Sequence, residues 1–279
     1  MTEITVAAPA KLNLFLHVTG GRADGYHTLE SLVVLIDLAD TIELADRDDG
    51  TIVRMAEVAG VSESDDLALR AAHALCEAGG SAHGASIRVT KRIPQGAGLG
   101  GGSSDAASVL LGLNRLWSLG LSRAALMRIG ARLGADVPFF LGDGAALARG
   151  VGDVLQPMSV PAYWMALAMP PVHVSTAAAF ASAELTRSEP SAKIDVFSEG
   201  YGHNDLEGAA DAKFPQVREA LLALRRASPL ARMSGSGACV FAPFIAERDA
   251  RKALERLPAG TPGRVVRTVA RHPLASFAS

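Results

Sequence analysis

The chain has 279 residues, with 27 Lys and Arg against 29 Asp and Glu (net charge −2), 49% hydrophobic and 20% charged. That length holds one large domain or two ordinary ones, and the composition excludes a disordered chain. The near-neutral balance gives no electrostatic case for a nucleic-acid or membrane-surface partner, and the two cysteines make neither a disulfide framework nor a metal site.

Met1 to Val6 lacks a basic segment followed by an apolar one, so no signal peptide is expected. No apolar run reaches the roughly 18 residues of a membrane span. A cytoplasmic protein with buried free thiols at Cys76 and Cys239 is expected.

Residues 4–8 and 11–18 read as strands, entered through Ala8-Pro9-Ala10. A period of two puts Lys11 and Asn13 on one face, opposite Leu12, Leu14 and Leu16. A solvated lysine on a half-exposed strand is the plain reading of that face. Thr19 to His27 is a turn-rich loop, in which Tyr26-His27 either stack on a planar ligand or merely cover strand ends. Residues 28–38 and 41–45 read as further strands, Asp65 to Glu77 as a helix closed by Gly79-Gly80, and 85–93 as an alternating strand.

That strand feeds Pro94-Gln95-Gly96-Ala97-Gly98-Leu99-Gly100-Gly101-Gly102-Ser103-Ser104-Asp105, with five glycines in seven residues. Such a run cannot pack a core, and the helix that follows is predicted to start with Ser103 or Ser104 as its N-cap. A glycine-rich loop entering a helix N-terminus is a phosphate site. Gly96, Gly98 and Gly101 spell the dinucleotide pattern, but the acid expected about twenty residues on is missing. Gly102 stands where a Walker loop has its lysine. A flexible linker ranks below phosphate binding, since a strong strand and a strong helix bound the loop.

A second helix is predicted over about 123–133 with Ser122 as N-cap, followed by Gly134-Ala135-Asp136-Val137-Pro138. Asp136 reads either as a helix cap before Pro138 or as a carboxylate base. Residues 145–158 suggest short strands, and Pro157 and Pro161 a boundary, giving domains 1–158 and 159–279. Beyond it come a strand (163–169), an alanine-rich helix from Ser175-Thr176 through Leu185, and a polar stretch over 187–202. A helix (215–227), the glycine loop Met233-Ser234-Gly235-Ser236-Gly237-Ala238, a strand (238–242), a helix (247–257) and a strand (263–269) follow. The order suggests an α+β sandwich packed on the first half.

Three blocks together resemble the motifs of the GHMP superfamily of small-molecule kinases: Pro9-Ala10-Lys11-Leu12-Asn13-Leu14, Pro94 to Ser104, and Met233 to Gly237. Gly25-Tyr26-His27, Gly134 to Pro138 and Asn204-Asp205-Leu206-Glu207 are similar to the branch whose alcohol substrate carries cytidine diphosphate. The resemblance implies an α+β, two-domain GHMP kinase fold: an N-terminal domain that is ribosomal protein S5 domain 2-like and a C-terminal ferredoxin-like α/β sandwich. It implies transfer of the γ-phosphoryl of ATP, as its Mg²⁺ complex, to the 2-hydroxyl of a cytidine diphosphate-linked methylerythritol in the non-mevalonate isoprenoid route.

By the same resemblance, Pro94, Gln95, Gly96, Ala97, Gly98, Leu99, Gly100, Gly101, Gly102, Ser103 and Ser104 would wrap the ATP phosphates. Asp136 would be the base and Lys11 its electrostatic partner. Asn13, Tyr26, His27, Thr176 and Phe180 would bind substrate. Ser234, Gly235, Ser236 and Gly237 would support the site from the second domain. Ser103 or Ser104 would be the side chains in reach of Mg²⁺, with no dedicated metal cluster. A monomer or homodimer is expected, and the sequence does not choose between them. The competing readings are a GHMP kinase for homoserine or a mevalonate-type acid, and a non-catalytic nucleotide sensor, which would be expected to lack Lys11 or Asp136.

Overall fold

The computed structural model describes residues 2–23, 25–80, 83–182 and 200–278. The first half runs β1 (Glu3–Gly21), β2 (His27–Arg47), β3 (Ile52–Arg54), α1 (Leu67–Gly79), β4 (Gly84–Thr90), α2 (Gly101–Leu116), α3 (Arg123–Leu133), α4 (Val137–Leu141), β5 (Ala146–Arg149) and β6 (Val154–Pro157). The second runs β7 (Trp164–Ala168), α5 (Thr176–Phe180), α6 (Glu207–Lys213), α7 (Pro215–Arg225), β8 (Arg232–Met233), β9 (Val240–Phe244), α8 (Glu247–Leu254) and β10 (Gly263–Val269).

Where the sequence suggests four short strands, β1 and β2 form two long continuous ones, paired antiparallel from Glu3↔Ala45 to Gly21↔His27. Asp40, which looks like a break, is fully buried within β2 because its carboxylate accepts from the backbone N–H groups of Arg92 and Ile93 and from Lys91. The opposite edge of β2 takes β5 at Ser31–Val33, β10 at Leu35–Ile36 and β4 at Thr41–Arg47. Strand β10 links this sheet to a second one, in which β10 pairs with β7, β7 with β9 and β9 with β8.

The side-chain alternation produces three apolar layers. Val6, Ala8, Ile42 and Leu44 pack against Leu75 of α1 and Leu110 and Leu113 of α2. Leu12, Leu14, Val34 and Ile36 meet Met165, Leu167 and Phe241 of the second sheet. Ala166, Ala168, Val240 and Ala242 point the other way, onto Leu221 and Leu224 of α7 and Ala250 and Ala253 of α8. The order is therefore helices, sheet, sheet, helices. Residues beyond β10 return to the first half, where Leu274 enters the first core and Arg123 Nη2 donates to Ala275 O (2.6 Å) and Ala278 O (2.9 Å).

Several boundaries depart from the sequence reading. Helix α2 starts at Gly101, with Gly100 (φ 71°) as its N-cap, so neither Ser103 nor Ser104 caps it. The Ser104 hydroxyl instead donates to Pro9 O at 2.7 Å. Helix α5 ends at Phe180 instead of Leu185; residues 183–199, which hold most of the polar 187–202 stretch, lie outside the described residues. Strand β3 and helix α6 were not foreseen, the former because three residues carry no period, the latter because its run is mostly alanine and charge. No helix among the described residues is long and apolar enough to cross a membrane.

Candidate active site

The site begins with a bulge. Pro9 has no N–H to give the β1–β2 ladder, and the register shifts between Pro9 and Ala10. Val6 and Ala8 face the helical layer, whereas after the shift Ala10, Leu12 and Leu14 face the second sheet. Lys11 and Asn13 are thereby turned toward the side on which α2 begins. Lys11 N donates to Leu99 O at 3.0 Å, which fastens the strand to the glycine loop.

The loop itself needs glycine for space as much as for torsion. Gly98 has φ 73°, and a Cβ there would lie 2.2 Å from Ser234 O. Gly100, also left-handed, would place a Cβ 2.8 Å from the Phe140 ring. Ser104 N is the first amide to enter the α2 ladder, bonding Gly100 O at 2.9 Å. The first-turn amides ahead of it have no helical carbonyl to bond and carry the positive end of the dipole.

Asp136 is carried by α4, whose five residues are all buried, four of them (Val137, Phe139, Phe140 and Leu141) in the first core. It occupies the N-cap position but makes no capping hydrogen bond. Its half-exposed carboxylate instead lies 3.7 Å from the buried Lys11 Nζ. Lys11 Nζ also donates to Asn13 Oδ1 at 2.5 Å, and Asn13 Nδ2 to Ser31 Oγ at 2.8 Å. These partners offset the desolvation of the ammonium.

The second glycine loop closes over this group. Ser234 Oγ accepts from Asn13 N (3.2 Å) and donates to Gly98 O (3.2 Å), so it joins β1 to the first loop. Ser236 Oγ lies 2.8 Å from Thr176 Oγ1 at the start of α5. On the same short helix Phe180 stacks on His27, with ring centroids 5.2 Å apart and planes at 24°, while Tyr26 is exposed. Lys11, Asn13, Tyr26, His27, Pro94 to Ser103, Asp136, Thr176, Phe180, Gly235 and Ser236 all border one cleft of about 1140 Å³. Ser104, Ser234 and Gly237 sit behind it; Ser104 and Ser234 act through the bonds just described.

The structure adds a charge that the sequence reading missed. Lys91, at the end of β4, lies in the cleft beside Gly101 and is held by Asp40 and by Asp105 Oδ2 (2.6 Å). Burial pushes the Asp105 carboxyl up to about 7 against the pull of Lys91, and the Asp40 charge adds to the rise. Burial also works against the Lys91 ammonium, but the two carboxylates outweigh it and raise its pKa. The one local signal was an acid inside the aliphatic stretch of β2, which must have a partner if buried.

Two family models match the chain: the GHMP kinases N terminal domain over residues 66–144 and the GHMP kinases C terminal over 188–262. The chain belongs to the GHMP kinases. This GHMP kinase is 53% identical to the 4-diphosphocytidyl-2-C-methyl-D-erythritol kinase of Thiobacillus denitrificans, across 97% of both chains. It is 52% identical to the protein of the same name from Cupriavidus necator, across 97% of this chain and 94% of the relative. A crystal structure of 4-(cytidine 5'-diphospho)-2C-methyl-D-erythritol kinase superposes with a TM-score of 0.82 at 35% identity, covering 95% and 99% of the two chains. Homoserine kinase from Cytophaga hutchinsonii, at 18% identity and a TM-score of 0.75 over 98% and 96% of the two chains, shares the fold.

Proposed function

We propose that this GHMP kinase transfers the γ-phosphoryl of ATP to the 2-hydroxyl of 4-diphosphocytidyl-2-C-methyl-D-erythritol, a step of the non-mevalonate route to isoprenoid precursors. The observation that carries the reading is the Lys11–Asp136 pair at 3.7 Å, set in the same cleft as the glycine loop and the His27–Phe180 stack. The relatives named for this reaction, half identical along nearly the whole chain, support it.

The amides of residues 96–103 and the start of α2 hold the phosphates in place of a Walker lysine. The substrate hydroxyl lies against Asp136. Its oxygen attacks the γ-phosphorus, the bond to the ADP oxygen breaks, and the hydroxyl proton passes to the Asp136 carboxylate. Lys11 stabilises the negative charge that grows on the attacking oxygen. Because Lys11 N is bonded to Leu99 O, the ammonium and the phosphate loop are held in one frame, and positioning is most of what phosphoryl transfer asks of a protein.

The rings of His27 and Phe180 are in direct contact, so a cytosine stacks on the outer face of the pair, beside Tyr26, instead of between them. Asn13 and Thr176 offer polar contacts to the rest of the substrate. The apolar side chains of Val58, Val61 and Leu67 line the same cleft and give the adenine a surface.

Bound with the nucleotide, Mg²⁺ would supply the positive charge that offsets its phosphates. Among the described residues no group of three or more His, Cys, Asp or Glu side chains could hold a metal ion. The donor set fits an ion carried mainly by phosphates and water, with the Ser103 hydroxyl as the serine at the cleft; Ser104 is fully buried behind it. The division into domains 1–158 and 159–279 belongs to this reading as well, with the cleft between their two glycine loops. Phosphorus NMR of the product tests it: a new monophosphate on the tertiary carbon of the methylerythritol is expected, and phosphate on any other hydroxyl contradicts it.

A further inference from the structure

Asn204-Asp205-Leu206-Glu207 has no part in the transfer as derived, yet this segment ties together the two elements that carry it. Leu16 N donates to His203 O and Asp205 N to Leu16 O, both at 2.9 Å, so the segment adds in parallel to β1 three residues beyond Asn13. Asp205 Oδ2 accepts from Val18 N at 2.6 Å. On its other side Asn204 Nδ2 donates to Met233 O and to Gly235 O, each at 2.8 Å, and Asn204 Oδ1 accepts from Leu206 N at 2.9 Å. Glu207 Oε2 accepts from Met233 N at 3.1 Å.

Gly235 is the residue laid over the reacting groups. A Cβ built on it would stand 3.3 Å from Lys11 Nζ, from Asn13 Oδ1 and from Gly98 O. We propose that Asn204 is a positioning residue for the phosphoryl transfer: its amide pins Gly235 as a roof over Lys11 and Asn13, and so holds the ammonium at its distance from Asp136. The inference rests on reading Lys11 and Asp136 as the transfer pair.

The chemistry calls for an amide. Two carbonyl oxygens converge on one nitrogen, while an N–H must be accepted on the other side of the same side chain. A carboxylate of the same shape keeps the bond to Leu206 N but has no proton for either carbonyl and repels both. Serine offers a single donor with shorter reach. Asn204 is buried, so no water replaces what is lost.

The test compares N204D, N204S and D136N with the parent enzyme, each assayed well below its own melting temperature. N204D is expected to lose kcat by about tenfold or more while the KM for ATP stays within about threefold, with N204S between. A role in packing alone would lower the melting temperature of N204D but leave the kcat of the folded enzyme unchanged. Parental kcat in folded N204D, or in N204S if N204D does not fold, beside an inactive D136N overturns the positioning role and leaves the site reading standing. An active D136N overturns the site reading and this inference with it.

Discussion

Lys11 Nζ stands 3.7 Å from Asp136 Oδ2, the lysine buried on β1 and the aspartate half-exposed at the head of α4. Neither partner is held by the other alone: Asn13 Oδ1 and the roof at Gly235 fix the ammonium, and the buried α4 fixes the carboxylate. D136N is expected to keep ATP binding and lose turnover by about 10²–10⁴-fold. K11M is expected to lose turnover by about 10²–10³-fold through the unstabilised oxygen. Steady-state kinetics with a nucleotide-binding titration check both, and turnover within about threefold of the parent in either variant contradicts the assignment.

Close backbone approach at the phosphate loop has its own control within the chain. Gly98 and Gly120 both have positive φ, but a Cβ at Gly98 meets Ser234 O at 2.2 Å whereas one at Gly120 meets nothing. G120A is expected to cost only the left-handed strain, about 1–2 kcal/mol. G98A adds a backbone clash that must part the two glycine loops, so it should abolish ATP binding. Calorimetric titration and thermal melts of the two variants decide it, and equal behaviour would refute the close-approach account.

Specificity is placed at the His27–Phe180 stack. Losing an aromatic contact of about 1–1.5 kcal/mol predicts roughly a tenfold rise in KM for the cytidyl substrate in H27A and F180A. The KM for ATP should not follow. An ATP KM that rises equally would move the aromatic pair out of the substrate end.

Acid stability points to a residue outside the cleft lining. His272 is buried with Nδ1 accepting from Leu274 N at 3.0 Å, and burial, reinforced by Arg123, pulls its pKa down to about 4. A depressed pKa stabilises the fold above the unfolded value of 6.5, and that contribution, about 3 kcal/mol at most, is lost as pH falls through about 4. H272N keeps the acceptor without the titration. Its unfolding free energy should therefore change less between pH 6.5 and 4 than the parent's, as chemical denaturation at each pH would show; equal slopes would contradict the argument.

What could be read in advance was whatever the chemistry writes locally. Five glycines before a helix, a lysine and an asparagine two apart on a strand, and Ser122 before an amphipathic run each declare themselves within a few residues. The start of α2 was misread because two serines look like caps, although the left-handed Gly100 had already turned the chain. Asp40, Lys91 and Asp105 were missed for a different reason: their bonds cross between β2, β4 and α2, and no local spacing records them. Asn204 is of that kind too. Its motif was visible, but its partners Met233 and Gly235 were not.

The central claim is the choice of alcohol, and a coupled ADP-release assay with Mg-ATP tests it most directly. The purified chain is given 4-diphosphocytidyl-2-C-methyl-D-erythritol, homoserine or mevalonate in parallel. Turnover with the cytidyl compound alone is predicted. Turnover with homoserine or mevalonate in its place would keep the Lys11–Asp136 chemistry and contradict the substrate, and bound ATP without turnover on any of the three would contradict the kinase reading itself.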